Sequence, residues 1–448
     1  MIVAKFGGTS VSSKKRILTI CQIVKDQKEK DPILVVSALS GVTDLLLSLP
    51  SLSKSKLVAE LKRLREIHKN LIKRVFKDKN RQKTMEEFID EKIAEISKLD
   101  LTEDKKKLDK LLSFGEIMSS AILANALESH GINVSQVIAT DLIVTNDNFG
   151  SAEFILEPTR KKIKKILMPL VKKGIVPVVT GFIGTTKKGQ VTTLGRGGSD
   201  YSAAIIGFCL AVDEIQIWTD VDGIFTVDPR IVKNARPLQV VSFKEAAELA
   251  AFGAKILHPR CIAPAIKAAI PVRILNTFNP NRSGTLITTN HKISRQIKAI
   301  SFKKKITLVN IYSTEMLLQK GFLARIFQTF SKYNISVDLV SVSEVSVSVT
   351  LDNRNNLEKA VQQLSEFANV SVGENFGMVS LIGEEITDSS GNIKNIFDIL
   401  ASRRIVPKMV SLGATNINIS IVIKSDQVKK AVKYLHQNLL QSGTIASK

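Results

Sequence analysis

The first 47 residues alternate short apolar runs with helical patterns. Residues 2–6 form an apolar run that ends at two glycines, and residues 32–37 form a second run. Between them, Ile17, Ile20, Cys21 and Val24 recur at intervals typical of a helix. Continuous apolar strands that alternate with helices indicate a parallel sheet covered on both faces. The same pattern returns from residue 111 to residue 288.

Residues 51–110 interrupt this pattern. They contain 18 Lys and Arg, 12 Asp and Glu, and no proline, with Leu and Ile at helical spacing. We therefore predict two or three surface helices inserted into the α/β domain, which itself spans residues 1–288. The α/β pattern resumes with a helix predicted over residues 115–129.

The last third of the chain contains a repeat. The polar, basic stretch 289–304 predicts a linker, and the residues after it form two copies at an offset of 70, such as Gly321 and Gly391. Both copies alternate apolar and polar residues at strand spacing around helical patterns. We predict two βαββα units, over 305–376 and 377–448. Whether the second unit is interleaved with the first is left open.

Composition narrows the class of protein. A length of 448 residues favours several domains, and 44% hydrophobic with 24% charged residues is typical of globular proteins. Three cysteines without a CxxC pair favour a reducing compartment. The N-terminal residues lack the apolar stretch of a signal peptide, and the longest apolar run, 203–212, is too short to span a bilayer. We expect a cytoplasmic protein without a membrane partner.

The net charge of +22 raises the possibility of nucleic-acid binding. Such a site needs clustered Lys and Arg with interleaved aromatic residues. The basic segments 160–165 and 303–305 are scattered and lack aromatic residues. We therefore expect no nucleic-acid partner, and a salt-dependent gel shift would test this.

Two glycine-rich segments are candidates for anion binding. KFGGTS (5–10) follows a strand, so its backbone N–H groups and Lys5 could approach a phosphate, although a plain tight turn is an equal alternative. GRGGSD (195–200) precedes a helix, where Arg196 could clamp a carboxylate or a phosphate. Asp200 could alternatively serve only as a helix cap. No Walker A sequence occurs in the chain.

Two acidic segments are further candidates. TDVDGIFTVDPR (219–230) follows a strand, where its aspartates could hold Mg²⁺ or ribose hydroxyls, or could form a solvated loop. SFGE (113–116) places Glu116 at the start of the helix predicted over 115–129. There a carboxylate could serve only the helix dipole.

These motifs together resemble the amino acid kinase family and, within it, the aspartokinases. KFGGTS, SALSGVT (37–43), SFGE, GRGGSD, TDVDGIFTVDPR and FGAKILHP (252–259) occur in the family's order, and the repeats resemble its tandem ACT domains. Residues 316–352 most resemble the lysine-inhibited monofunctional class. The resemblance implies an α/β fold: a three-layer α/β/α amino acid kinase domain with a mainly parallel sheet, followed by two βαββαβ-type ACT domains.

The resemblance implies transfer of a phosphoryl group from ATP, with Mg²⁺, to the side-chain carboxylate of L-aspartate. No residue is assigned directly as a metal ligand. The family's catalytic positions correspond to Lys5 and Asp200. Its substrate-binding positions correspond to Thr43, Glu116, Phe182, Arg196 and Ser199. Its nucleotide-binding positions correspond to Lys5, Gly7, Gly8, Thr219, Asp220, Phe225, Arg230 and Lys255. Position 225 is commonly tyrosine in the family, so the hydrogen bond of that hydroxyl is in doubt here.

A regulatory site for L-lysine is expected in the first repeat alone. Asp338 and Glu344 could take the ligand's ammonium groups, whereas the second repeat has Lys408 and Ala414 at these positions. The alternative is that both carboxylates are ordinary surface charges. The positions implied around lysine are Met316, Gly321, Phe322, Leu323, Ser336, Val337, Asp338, Ser343, Glu344 and Val345. The ACT units also imply a homodimer or a higher homo-oligomer.

A second interpretation keeps the kinase fold but changes the acceptor to glutamate, acetylglutamate or UMP. The pairing of Glu116 with Arg196 favours a zwitterionic amino acid, and the tandem ACT units favour an aspartokinase. A panel of acceptors would separate these interpretations.

Overall fold

The computed structural model describes residues 1–101, 104–252, 259–289, 296–317, 319–413 and 415–441, with the backbone alone at 259 and 260. The chain divides into two compact units. Unit 1 comprises Met1–Ile224, Gln239–Phe243 and Leu257–His291, and unit 2 comprises Phe225–Leu238, Lys244–Ile256 and Lys292–Lys448. Two short segments of the predicted catalytic domain therefore belong to the same unit as the ACT repeats.

Unit 1 is built on an eight-stranded sheet in the order β3-β5-β2-β1-β8-β10-β11-β9, beside a small sheet of β4, β6 and β7. The strands are β1 (Ile2–Phe6), β2 (Pro32–Val36), β3 (Val134–Val137), β4 (Val144–Thr145), β5 (Val176–Thr180), β6 (Ile183–Thr186), β7 (Val191–Thr193), β8 (Glu214–Thr219), β9 (Val240–Ser242), β10 (Val272–Asn276) and β11 (Thr285–Thr288). All neighbours in the large sheet are parallel except β10 and β11. The predicted mainly parallel α/β fold is confirmed.

Helices alternate with these strands along the chain. They are α1 (Gly8–Val11), α2 (Lys14–Asp26), α3 (Val42–Ser48), α4 (Lys54–Val75), α5 (Lys79–Ser97), α6 (Lys105–Ser129), α7 (Leu156–Lys172), α8 (Gly198–Leu210), α9 (Phe243–Ala251) and α10 (Pro259–Lys267). Apart from Phe243, α9 belongs to unit 2. The central strands β1 and β2 are buried along nearly their whole length because helices pack on both faces.

The order of the strands positions the motifs. β1 lies between β2 and β8, parallel to both, so the segments that follow Phe6, Val36 and Trp218 leave the sheet at one edge. In open α/β sheets ligands bind at the carboxyl ends of the strands. The motifs KFGGTS, SALSGVT and TDVDGIFTVDPR therefore lie at this edge of the sheet.

The helical insertion differs from the prediction at its end. α4 and α5 lie within residues 51–110 as expected, but α6 starts at Lys105 and runs for 25 residues through the SFGE motif. Gly115 does not break this helix, because its missing side chain allows a close approach to Ala38; a Cβ there would lie 2.9 Å from that of Ala38. The expected helix start at residue 115 is wrong, and Glu116 lies in mid-helix.

Unit 2 contains a six-stranded antiparallel sheet in the order β13-β14-β12-β15-β17-β16. Its strands are β12 (Ala299–Tyr312), β13 (Val340–Val342), β14 (Ser346–Leu351), β15 (Asn369–Ile382), β16 (Met409–Leu412) and β17 (Asn418–Lys424). Residues 299–303, expected in the linker, form the start of β12 and pair with 378–382 of the second repeat. The later part of β12 pairs with both β14 and the start of β15. The two repeats thus share their central strands.

Besides α9, the described part of unit 2 contains the α-helices α11 (Phe322–Lys332), α12 (Leu357–Leu364), α13 (Ser390–Ser402) and α14 (Val428–His436). The segment 225–238 packs into the core of the second repeat through the buried Val227. Glu245 of α9 is fully buried and accepts hydrogen bonds from Lys298 Nζ and from the Glu384 amide. None of the helices among the described residues combines the length and the apolar composition that a membrane span requires.

Candidate active site

A cavity of about 730 Å³ opens in unit 1 at the carboxyl ends of the strands. Its wall combines the ends of β1 and β2, the first turn of α3, one face of α6, the loop 148–151 and the GRGGSD segment. Seven of the residues predicted from the sequence line this one cavity: Lys5, Thr43, Glu116, Phe182, Arg196, Ser199 and Asp200. Four separate motifs and Phe182 therefore meet at one place, while the roles of these residues stay predictions.

Lys5 and Asp200 form the main charged pair of the cavity. The Lys5 Nζ atom lies 2.5 Å from Asp200 Oδ1, and the two side chains are only 12% and 14% exposed. Lys5 comes from β1, and Asp200 from the first turn of α8. Asp200 thus contacts a cation from another element, which a helix cap alone would not explain.

The turn before α8 requires glycine at defined places. Gly195 and Gly197 have φ angles of +79° and +68°, in the left-handed region that favours glycine. Arg196 lies between them and is exposed to the cavity. The N-terminus of the 13-residue α8 also faces the cavity, so its partial positive charge adds to that of Arg196. This wall of the cavity favours anions.

Phe182 is held in a strained conformation beside α8. Its φ angle is +68°, which is rare for a bulky residue. The Phe182 amide donates to Ser202 Oγ at 3.0 Å, and its carbonyl accepts from the Leu194 amide at 2.8 Å. A Cβ on Gly198 would lie 2.5 Å from the Phe182 ring, so the ring sits directly on the first turn of α8. These contacts thus maintain the strained backbone conformation of Phe182.

Glu116 is buried on the face of α6 that lines the cavity. One carboxylate oxygen accepts from the Ala38 amide at 3.2 Å, and the other has no hydrogen-bond partner among the described residues. Burial raises the pKa of Glu116 to about 8, because the charged form loses its hydration. Since Glu116 lies in the middle of α6, the helix-dipole explanation does not apply. The site provides an acceptor ready for a cationic partner.

Thr43 and Ser199 lie on the first turns of two helices at the cavity. Thr43 is the second residue of α3, and Ser199 is the second residue of α8. Ser199 packs against the backbone of Gly181, where a Cβ would lie 2.6 Å from that of Ser199. This contact fixes the start of α8 against the end of β5.

The two glycines of the first motif differ in what they offer. The Gly7 amide donates to the carbonyl oxygen of Trp218 at 3.1 Å, so the sheet already uses this donor. A Cβ on Gly7 would lie 3.5 Å from Lys5 Nζ, and one on Gly8 would lie 2.7 Å from the Ala38 carbonyl oxygen. The glycines therefore allow close packing around Lys5. The Gly7 amide, which was predicted to donate to a phosphate, donates to the Trp218 carbonyl oxygen in the structure.

The other predicted nucleotide residues are divided between the units. Thr219 and Asp220 follow β8 in unit 1, and the Thr219 hydroxyl donates to Asp220 Oδ1 at 3.2 Å. Phe225 and Arg230 belong to unit 2, where Arg230 Nη2 pairs with Asp228 Oδ2 at 2.8 Å. Lys255 lies outside the described residues. Within unit 1, Lys5 is the member of this set that lines the described cavity.

Asp109 is a cavity residue that the sequence analysis missed. Its carboxylate is 1% exposed and accepts three hydrogen bonds, from the Gly150 amide at 2.9 Å, the Thr193 amide at 2.8 Å and the Thr193 hydroxyl at 2.7 Å. Burial raises the pKa of Asp109, although these donors act against it. Its position seven residues before Glu116 places both on one helical face, which is a signal that the sequence does contain.

The residues expected around lysine lie in the first repeat of unit 2. Gly321 caps α11 with a φ angle of +89°, and Phe322 is buried in the core against Phe367. Ser343 Oγ lies 2.7 Å from Ser346 Oγ in the turn between β13 and β14, where Glu344 is exposed. The remaining members lie before α11 (Met316), within it (Leu323), after it (Ser336, Val337 and Asp338) and in this turn (Val345).

Asp338 has an internal cation beside it. Lys303 Nζ lies 3.3 Å from Asp338 Oδ2 and 2.6 Å from Asp352 Oδ2, and Lys303 is 13% exposed. Burial raises the pKa of Asp338 to about 6 despite this cation. An incoming ammonium group would thus meet a carboxylate that is already paired.

Comparisons with known proteins agree with this geometry. Residues 1–276 match the amino acid kinase family, and residues 309–367 and 379–439 each match the ACT domain. Aspartokinase 1 of Arabidopsis thaliana is 36% identical over 99% of this chain and 81% of its own length. The lysine-sensitive aspartokinase 3 of Escherichia coli is 32% identical over 98% of this chain and 99% of its own length.

The chain belongs to the aspartokinases of the amino acid kinase family. Its enzyme class, aspartate kinase, follows from that membership. A crystal structure of E. coli aspartokinase III with aspartate and ADP, described as the R-state, matches 98% of this chain and 99% of its own with a TM-score of 0.85 and 32% identity. Its complex with lysine and aspartate, described as the T-state, covers the same shares with a TM-score of 0.83 and 33% identity. This aspartokinase therefore has the expected kinase fold with tandem ACT domains.

Proposed function

We propose that this aspartokinase transfers the γ-phosphoryl group of ATP to the side-chain carboxylate of L-aspartate, giving 4-phospho-L-aspartate and ADP. The observation that carries the proposal is the common cavity of Lys5, Glu116, Arg196 and Asp200. Glu116 offers a buried carboxyl group that ionises when the α-ammonium group binds, and Arg196 offers a cation to the α-carboxylate. Thr43, Phe182 and Ser199 complete the wall around the substrate.

The cavity has the charges that this reaction needs. A side-chain carboxylate with a pKa of about 3.9 is already ionised at neutral pH, so the acceptor needs no general base. The barrier arises from bringing this anion towards a polyanionic nucleotide. Lys5 and the N-terminus of α8 place positive charge in the cavity, where Lys5 would neutralise charge on the transferring group. Asp200 holds the Lys5 ammonium in position.

Magnesium fits this site as a partner of the nucleotide. Mg²⁺ in phosphoryl-transfer enzymes is commonly held by one or two carboxylates together with substrate phosphates. Among the described residues no cluster of three or more His, Cys, Asp or Glu side chains could hold a metal alone. Asp200 lines the cavity and would supply a carboxylate to such a shared site, whereas Asp220 follows β8 and is not among the residues that line the cavity. The ion would supply charge neutralisation at the phosphates.

The acceptor is tested by measuring ADP release from ATP with a panel of substrates. We expect release with L-aspartate and little with glutamate, N-acetylglutamate or UMP, because Glu116 and Arg196 match a short zwitterion. Glu116→Gln and Arg196→Ala should each raise the KM for aspartate more than the KM for ATP. Faster turnover of another acceptor would overturn the assignment.

We propose further that L-lysine inhibits the enzyme by binding at the first ACT repeat. The support is the pair of carboxylates, Asp338 and Glu344, near a glycine-capped helix, against Lys408 at the matching position of the second repeat. For inhibition, lysine must bind one state of the protein more tightly than the other. Lysine would then favour the less active state.

Lysine regulation is tested by aspartate-dependent ADP release with and without lysine. Glu344→Ala should weaken inhibition without changing activity in the absence of lysine, because the residue is exposed on unit 2. Unchanged inhibition would favour the alternative that Glu344 is an ordinary surface charge. Equal lysine affinity with and without aspartate and nucleotide would contradict coupling between the two sites.

A homodimer or a higher homo-oligomer through the ACT units is also proposed. β13 is an edge strand whose three residues are exposed, and Val342 is 50% exposed. Exposed apolar edges invite pairing with another chain. Light scattering of Val342→Lys should show a smaller particle than the parent protein if this edge forms the contact. A cytoplasmic location stays a prediction.

A further inference from the structure

Asp109 connects three elements of the cavity. It projects from α6, and its two oxygens bind the Gly150 amide and both the amide and the hydroxyl of Thr193. Gly150 belongs to the loop 148–151 that lines the cavity, and Thr193 ends β7. A carboxylate that is 1% exposed and accepts three hydrogen bonds has little capacity left for a ligand. Its geometry suits positioning.

These contacts lead directly to the Arg196 turn. Thr193 lies three residues before Arg196, and the Thr193 carbonyl accepts from the Ala152 amide at 2.9 Å. The backbone of Gly195 packs on the loop, so that a Cβ there would lie 3.3 Å from the Gly150 carbonyl oxygen and 3.2 Å from Ser151 Oγ. Asp109 thus holds both the strand and the loop on which the Arg196 turn rests.

The same helix carries Glu116. Asp109 and Glu116 are seven residues apart on α6, which corresponds to about 10 Å along a helix. Both line the cavity, and α6 is unbroken between them. Because α6 is continuous, it fixes the position of Glu116, the proposed partner of the α-ammonium group, relative to Asp109, which supports the turn that carries Arg196.

We propose that Asp109 is a positioning residue that sets the separation between the subsites for the α-ammonium and α-carboxylate groups of aspartate. The inference rests on the proposed contacts of Glu116 and Arg196 with the substrate. Asp109 itself touches neither the substrate nor the transferred group. Its loss should therefore impair recognition of the α-carboxylate more than the transfer step.

The test compares Asp109→Asn with the parent enzyme on two acceptors, L-aspartate and its α-methyl ester. The ester lacks the charge that Arg196 would clamp. We expect the KM for aspartate to rise by roughly tenfold or more, since small misplacements of positioning groups have large effects. The KM for ATP should stay near that of the parent. The ratio of kcat/KM values for aspartate and ester should fall; where the ester is not turned over, its Ki as a competitor replaces kcat/KM.

Two further variants separate positioning from folding. Asp78→Ala removes the N-cap of α5, whose side chain accepts from the Asn80 amide at 2.8 Å, and since no described residue of α5 lines the cavity it should lower the Tm without changing either KM. Thr193→Val removes one of the bonds to Asp109 and should reproduce part of the aspartate defect. Equal loss of activity towards aspartate and ester in Asp109→Asn would overturn the proposal. A normal aspartate KM in Arg196→Ala would instead overturn the proposed substrate contacts.

Discussion

The ammonium group of Lys5 lies 2.5 Å from the carboxylate of Asp200, although 195 residues separate the two in the chain. The pair joins β1, which carries the start of KFGGTS, to α8, which carries the end of GRGGSD. It gives the cavity a cation whose position is fixed before any ligand binds. Preorganised charge of this kind is commonly the largest contribution to stabilising a charged transition state.

Breaking this pair should reduce turnover strongly. In Asp200→Asn the Lys5 ammonium loses its anionic partner but keeps a similar volume beside it. We expect kcat to fall by about 100-fold or more, as for other preorganised electrostatic contacts. Steady-state ADP release at saturating aspartate and ATP measures this effect.

A matched substitution controls for the loss of an ion pair as such. Asp90 pairs with Lys69 Nζ at 2.7 Å between α4 and α5, away from the cavity, and Asp90→Asn should leave kcat unchanged. A partly exposed pair of this kind contributes little to stability. If Asp200→Asn kept the parent kcat, the catalytic role of the Lys5–Asp200 pair would be refuted.

The affinity for aspartate should depend on pH through Glu116. Burial raises the pKa of Glu116 from 4.5 to about 8, so the carboxyl group is protonated in the unliganded enzyme at neutral pH. The α-ammonium group of bound aspartate favours the ionised form of Glu116, so binding of aspartate releases the proton of that carboxyl group. We expect the KM for aspartate to fall as the pH rises towards about 8, by up to tenfold per unit. Glu116→Gln, which does not titrate, should have a high and flatter KM.

The same group should affect the stability of the unliganded protein. Because the folded pKa lies above the unfolded value, the unfolded chain loses this proton first as the pH rises. The contribution of Glu116 to the free energy of unfolding therefore decreases from about pH 4.5 to about pH 8 and then stays constant. Denaturant unfolding should show a smaller decrease over this range for Glu116→Gln. Identical pH profiles for both proteins would contradict the raised pKa.

The start of α8 should be sensitive to the size of residue 181. A Cβ on Gly181 would lie 2.6 Å from that of Ser199, closer than packed side chains tolerate. Gly181→Ala should displace the first turn of α8, which carries Ser199 and Asp200. We expect kcat/KM for aspartate to fall by roughly tenfold or more, since displacements near 1 Å have such effects.

Gly391→Ala provides the control for a glycine substitution. It lies in α13, where the nearest atom to a new Cβ is Ser389 Oγ at 3.7 Å. This change should not lower stability, since alanine favours the helix, and should leave kcat/KM unchanged. Parent-like activity in a folded Gly181→Ala protein would show that the α8 turn tolerates displacement.

Much of unit 1 could be predicted because its signals are local. The apolar runs of β1 and β2 and the glycines around Arg196 each mark an element or a turn by themselves. The start of α6 could not be predicted in the same way, because glycine, which occupies position 115, commonly breaks helices. Only its close approach to Ala38 explains why the helix continues. Asp109 was missed for a similar reason, since its partners are distant in sequence.

The assignment of segments to units also depends on distant contacts. The segment 225–238 reads as part of the kinase motif, yet the Thr226 carbonyl accepts from the Ile300 amide at 2.7 Å within unit 2. Nothing in its local pattern indicates that partner. The shared strands β12 and β15 likewise follow from pairing across the two repeats, whereas the 70-residue offset alone left open whether the two units are interleaved.

Lysine binding should depend on the ionisation of Asp338. Burial raises the pKa of Asp338 to about 6, so below that pH the carboxyl group becomes neutral and attracts an ammonium group less. Lysine affinity should therefore weaken as the pH falls through about 6. Calorimetric titration of the enzyme with lysine measures this directly, without the separate pH effect of Glu116 on activity.

The cation beside Asp338 should limit lysine affinity. Lys303 bridges Asp338 and Asp352, and an incoming ammonium group would meet repulsion from Lys303 while sharing its carboxylates. Lys303→Met removes this competitor, so at pH 8 we expect the Kd for lysine to fall by about tenfold, which corresponds to about 1.4 kcal/mol. Lys305→Met, an exposed lysine on the same strand, should leave the Kd unchanged. An equal Kd for both variants would show that Asp338 does not receive the lysine ammonium, and would move the proposed ligand contact to Glu344.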